Sequence, residues 1–251
     1  ESDLRLGGGG GVEARLNTLT LLTGDGEWEL ERPALVQRDS LALRVQGFRL
    51  HRPGPGGVRI ALDALVPAEG ALDVQLDVRQ LDLRRLASLL QLNTDLSGIL
   101  ELAARVEGTP SLPVLQGEIT GAGLAWEDVP VERLEGEFGY EGGRFRTRLQ
   151  SWEGAREVLN LRIELPAELS FAEGFTFGFP EAPLDGEIRI QDFPAAVALS
   201  FLDGFEDVRG ALSGEVQLAG TVRSLSPTGE LRLAGGAATL EEVGVRYTDV
   251  R

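Results

Sequence analysis

From Ala71 to Leu83 the chain reads ALDVQLDVRQLDL, with Leu72, Val74, Leu76 and Val78 on one side of an extended backbone and Asp73, Gln75, Asp77 and Arg79 on the other. A period of two is the mark of a β-strand with one face out of water. The alternation returns at Val58 to Leu65, Leu100 to Val106, Phe145 to Leu149, Leu159 to Leu165 and Val216 to Leu218. Turn signals separate these stretches: Gly24-Asp25-Gly26, Pro53 to Gly57, Glu69-Gly70, Glu141-Gly142-Gly143 and Gly235-Gly236. Connections this short suit an antiparallel meander, because parallel strands need a helical crossover between them. Only two segments have helical spacing. LRRLASLLQL, Leu83 to Leu92, puts Leu83, Leu86, Leu89 and Leu90 on one face; FPAAVALSFL, Phe193 to Leu202, does so with Val197, Phe201 and Leu202, and Pro194 falls in its first turn. Two such helices cannot cover the apolar face of so many strands, so the sheet must fold on itself. A dry β-sandwich or barrel is one outcome. The other is a curved trough whose apolar interior faces a ligand. Gly117, Gly136, Gly214 and Gly229 fall inside strands, as bends in a strongly curved sheet require.

The second constraint is an internal repeat. Ser88 to Ile119 lies over Ser200 to Leu231 without a gap, 112 residues on. Ser88, Leu90, Asp95, Gly98, Leu100, Gly108, Thr109, Gly117 and Glu118 are identical to Ser200, Leu202, Asp207, Gly210, Leu212, Gly220, Thr221, Gly229 and Glu230. The matches are backbone-geometry and apolar positions, which points to stacked modules in place of one unique catalytic centre. The expected division is a strand-rich segment at 1–82, a first repeat unit at 83–192 opening with a helix, and a truncated second unit at 193–251, all in one elongated sheet.

Composition narrows the partners. With 40 acidic against 24 basic residues the net charge is −16, which opposes binding to nucleic acid or to a bare anionic membrane. There is no cysteine for a disulfide, a thiolate nucleophile or a zinc site. Methionine is absent even at position 1, so the chain is expected to be a segment of a longer protein whose anchor lies elsewhere. No run approaches the roughly 18 to 20 apolar residues that span a bilayer. His51 is the one histidine, beside a Pro/Gly turn, and no carboxylate stands at ligand spacing from it. No serine sits in a nucleophile elbow, no calcium loop appears, and nothing singles out a pair among the many acids. No catalytic residue, metal ligand or cofactor is therefore assigned. The run Gly7 to Gly11 lacks a phosphate-binding context, and the Gly-Thr pairs at Gly108 and Gly220 read as turns. Trp28, Trp126 and Trp152 stand alone as anchors or end caps. FAEGFTFGF, with Phe171, Phe175, Phe177 and Phe179, is either a packed strand or an apolar surface for a partner.

These residues resemble a known family. GDGEWELERPALV at Gly24 to Val36, the amphipathic LRRLASLLQL, and DLSGILELAARVEGTPSLPVLQGEITGAGLAWEDVPV are similar to segments of the TamB family of the AsmA-like superfamily. A recurring G-x-L-x-G-x-x-x-L-x-G-T-x-x-x-P-x-x-x-G-x-L pattern fits Val208 to Leu233 through Gly210, Gly214, Leu218, Gly220, Thr221, Pro227, Gly229 and Leu231. The first copy has Leu102 where Gly214 stands. The resemblance implies an all-β fold with two short helices, a long curved antiparallel sheet forming a U-shaped hydrophobic groove, or β-taco. It also implies a non-enzymatic conduit for phospholipid acyl chains between the inner and outer membranes of a diderm bacterium. Such a protein works in the periplasm, is anchored in the inner membrane outside this segment, and is joined to a TamA-type barrel through other regions. On this reading Leu72, Val74, Leu76, Leu100, Leu102, Val106, Val216 and Leu218 line the groove.

Overall fold

The computed structural model describes residues 2–6, 11–23, 26–54, 57–89, 96–126, 129–199, 205–240 and 245–250. The glycines at 7–10, Gly24-Asp25, Pro55-Gly56, positions 90–92 and 200–202 of the two expected helices, and Asp95 lie outside them. The strands are β1 (Ser2–Leu6), β2 (Val12–Leu16), β3 (Thr20–Thr23), β4 (Gly26–Leu30), β5 (Ala34–Arg38), β6 (Ala42–His51), β7 (Arg59–Pro67) and β8 (Asp73–Asp82). Helix α1 (Leu83–Leu89) leads to β9 (Leu96–Thr109), β10 (Leu112–Trp126), β11 (Val129–Glu141), β12 (Arg144–Glu153), β13 (Arg156–Pro166), the short β14 (Glu168–Ser170) and β15 (Thr176–Gly178), and β16 (Asp185–Pro194). Helix α2 (Ala195–Leu199) leads to β17 (Phe205–Gly220), β18 (Leu225–Leu240) and β19 (Val245–Val250). Pro194 thus ends a strand and immediately precedes the second helix. Asp82 caps the first helix, accepting the backbone N–H of Arg84 at 3.0 Å.

Seventeen strands form one antiparallel sheet. From β6 onward each strand pairs with the next, except that β13 pairs directly with β16 and the β14–β15 hairpin stands apart. Among the described residues β1 pairs only with β2, and β19 only with β18, so the sheet curves without closing. Its accessible surface is 15482 Å². A compact protein of 27.0 kDa exposes roughly 11,000 Å². The excess rules out the dry sandwich left open by the sequence, since a second layer would remove that surface.

The duplication is written into the backbone and begins upstream of the match at Ser88. Strand β16 starts and ends 112 residues after β8, as Asp185 and Pro194 answer Asp73 and Asp82. Both strands carry a register shift near their ends, with left-handed residues at Gln80 (φ 57°) and Asp192 (φ 49°). Gly98 and Gly210 follow with φ 111° and 101°, and Gly108 and Gly220 both have φ 93°. The Gly-Thr turns close identically. Leu72 N–H donates to the Gly108 carbonyl at 2.9 Å, and Leu184 N–H to Gly220 at 2.9 Å. Thr109 Oγ1 accepts from Leu112 N–H at 3.2 Å, and Thr221 Oγ1 from Ser224 N–H at 3.2 Å. One repeat therefore advances the sheet from β8 to β16, six strands or about 29 Å at ~4.8 Å per strand.

One face of the sheet carries cross-strand ion pairs. Glu164 takes Arg146 at 2.9 Å and Arg144 at 3.0 Å, Glu215 takes Arg189 at 3.3 Å, and Arg105 reaches Asp73 at 3.6 Å. Hydrogen bonds from Arg146 hold the Glu164 carboxyl below its ordinary value, and those from Arg189 do the same for Glu215. Asp39 is lowered by the backbone N–H groups of Leu41 and Ala42. At Asp63 partial burial pushes upward and is outweighed by the Gly47 N–H and Arg49.

Two predictions follow from this architecture. Gly117 sits beneath the Phe138 ring, where an added Cβ would collide with it, and with the Ala103 carbonyl at 2.9 Å. Gly117→Val is expected to destabilise the chain by about 1–3 kcal/mol in urea unfolding, with partial recovery when Phe138→Ala is added. Carboxylates depressed in the folded state stabilise it above their unfolded values, here 3.8 for Asp and 4.5 for Glu. The urea midpoint is thus expected to be level near neutrality and to fall as pH drops from those values through the lower folded-state ones, and the small deficit of Arg146→Ala to vanish in acid.

Candidate functional site

The opposite face is aliphatic, and register assembles it into rows that cross the sheet. Directly partnered residues of neighbouring strands share a face. Val78 pairs with Leu102, Leu102 with Ile119, Ile119 with Gly136, Gly136 with Leu149, Leu149 with Leu161, Leu161 with Ile188, and Ile188 with Val216. A parallel row runs through Leu76, Ala104, Gly117, Phe138, Thr147, Ile163, Gly186 and Leu218. Of these two rows only Gly186 is buried by the chain; every other residue is partly accessible. No titratable group stands among them.

Gly117, Gly136 and Gly186 interrupt the rows, and the space they leave is used. A Cβ on Gly136 would meet Leu149 at 2.6 Å and Ile119 at 2.7 Å, so both side chains lean over it from either side. Side chains inside a bend converge, and removing one in every few lets the face close up without collision.

The rows are flanked where strands end. On one side α2 packs Val197 with Phe193 and Val158, against Val131, Leu159 and Ile190. On the other, the β14–β15 segment packs Ala167 and Leu169 with Tyr140, against Leu115 and Phe145. Trp28, Leu50 and Val58 make a third small cluster near the N-terminal end. Buried apolar residues thus gather at margins, and a floor of two rows lies between them. The charged face has a hollow of about 600 Å³ among Glu137, Arg148, Arg162 and Glu187, which Phe138 and Ile163 also line.

Of the eight residues singled out from the sequence, seven share this face by register: Val74, Leu76, Leu100, Leu102, Val106, Val216 and Leu218. Val106 is nearly covered, at 9 % exposure. Leu72 stands apart, 2 % exposed one residue before β8, fixing the Gly108 turn. The central strands contribute Ile119, Leu149, Leu161 and Ile188, which were missed as a set. The signal was present, because Ile188 is the repeat counterpart of Leu76. Trp152 faces Arg133, whose guanidinium lies 4.4 Å from the ring centroid. His51 Nδ1 lies 3.1 Å from the Glu29 carbonyl. Among the described residues no cluster of His, Cys, Asp and Glu could hold a metal, and no helix is long and apolar enough to cross a membrane.

No curated protein and no solved structure matches the chain. The family described as TamB, N-terminal domain, matches residues 10–233, nearly all of the sheet. A repeat-built, uncovered β-groove and a family match of this extent agree, and the chain belongs to the TamB family.

Proposed function

We propose that the chain is a length of non-enzymatic conduit for phospholipid acyl chains, acting in the periplasm between inner and outer membranes. In this reading it works within the translocation and assembly module, beside a TamA-type barrel engaged by other regions. The observation that carries the proposal is the two-row aliphatic floor, continuous from Val78 to Val216 and uncovered by the chain itself.

The mechanism needs no reactive group. Each methylene laid against the floor gains about 0.8 kcal/mol relative to water. A chain sliding along a row leaves one strand as it meets the next, so the number of buried methylenes hardly changes and no deep trap forms. Leu, Ile and Val recur from strand to strand, which keeps that exchange nearly level. Headgroups stay on the open, wet side between the two margins. Leu72 then serves as a rim anchor, and the other seven named residues line the path together with Ile119, Leu149, Leu161 and Ile188.

The open edges β1 and β19 support a second reading, a module that receives partner strands by β-augmentation without lipid. Gentle extraction followed by mass spectrometry separates the two. Phospholipid is expected to co-purify with the parent chain and to be lost from Val74→Asp and Leu102→Asp. Both variants should stay folded, because their sites are partly exposed; a dry core position would cost about 2–5 kcal/mol on truncation alone. Absence of lipid from the parent, or unfolding of both variants, contradicts the conduit.

A further inference from the structure

The segment between β13 and β16 is longer than the fold requires. β7 and β8 pair as β13 and β16 do, yet five residues, 68–72, join the first pair and eighteen, 167–184, join the second. Both connections end alike, with Leu72 and Leu184 hydrogen bonded to the equivalent glycines. The extra length is thus an addition to the repeat, and additions of this kind to a regular scaffold are where function concentrates.

What the addition builds is an aromatic hairpin laid over one margin of the floor. Its base is tied to three separate turns of the sheet. Ala167 N–H donates to the Gly143 carbonyl at 2.9 Å, and Phe171 N–H to Pro110 at 2.8 Å. Leu169 N–H donates to the Tyr140 hydroxyl at 3.3 Å. On the return, Glu181 accepts from the Thr221 hydroxyl and pairs with Arg223 at 3.3 Å. Phe177 and Phe179 stand edge-on to Phe145, centroids 6.4 and 6.0 Å away, and Phe145 stacks on Phe138 at 6.4 Å. Phe138 belongs to the floor. Yet Phe175, Phe177 and Phe179 remain 70, 46 and 43 % exposed. A fixed base and three wet phenyl rings make an apolar patch that is continuous with the floor and lacks a covering group.

We infer that residues 167–184 form an aromatic strap, closing with Phe175, Phe177 and Phe179 on an acyl chain that lies over Phe138 and Phe145. It is a station where the trough is walled on a second side. The occupant is an acyl chain because the patch continues the aliphatic rows without a break. The inference rests on the conduit reading, and the test keeps the two apart.

Photocrosslinking in the intact chain supplies it, with p-benzoylphenylalanine placed at Phe177 or, as a floor control, at Val216. Lipid adducts are expected at both positions. Replacing 167–184 by the sequence of 68–72 should leave the Val216 adduct and abolish the adduct formed by the same probe at Phe145. Lipid at Val216 with none at Phe177 overturns the strap alone. Protein adducts in place of lipid at Phe177 also overturn it, assigning the patch to a protein partner. Lipid at neither position overturns the conduit and the strap together.

Discussion

Cross-strand register is the constraint on which this molecule depends. Among the described residues the sheet has no second layer, so pairing is what chiefly keeps Leu102, Ile119, Leu149, Leu161, Ile188 and Val216 on one side and the Arg–Glu ladder on the other. A slip of one residue in a single strand would turn its aliphatic set toward the charges and break both faces. The glycine notches add a steric check. Leu149 and Ile119 lean over Gly136 only in the observed alignment, and Phe138 covers Gly117 only there. Two of the register shifts fall at the same repeat position, beside Gln80 and Asp192, and each of these delivers the chain into a helix at the margin.

Much of this was legible in the chain. The alternation read from Ala71 to Leu83 contains β8, Asp73–Asp82, with two residues to spare at one end and one at the other, and the turns at Gly108 and Gly220 have left-handed glycines. The sequence could not decide between dry sandwich and trough. Period two records that a strand has one apolar face and carries no information on what lies against it. Leu72 illustrates the same limit. It keeps the parity of Val74 and Leu76, yet the strand begins after it and its backbone is spent on the Gly108 turn. The Phe-rich run was read as either a packed strand or an apolar surface for a partner; it holds β15, three residues long and outside the main sheet, with Phe175, Phe177 and Phe179 exposed. Local pattern identifies such a strand; only long-range pairing tells which sheet it joins.

Buried packing gathers at the margins and leaves the floor accessible. Three small buried clusters and the hydrogen-bonded ladder hold the chain together, so the floor is free to face a ligand. This division explains how a sheet can carry a long apolar face and remain a folded unit. A further repeat would add six strands and lengthen the apolar rows by about 29 Å without requiring any new kind of element.

The central claim is that the floor is covered by acyl chains and by nothing of the protein's own. Methyl NMR of chain loaded with protonated phospholipid tests it most directly, through intermolecular nuclear Overhauser effects at Leu161, Ile188 and Val216. The account predicts cross-peaks from these methyls to lipid methylene protons, running along the row from strand to strand. Cross-peaks only to other side chains of the protein, with none to lipid, would place a second protein layer on the face and contradict it.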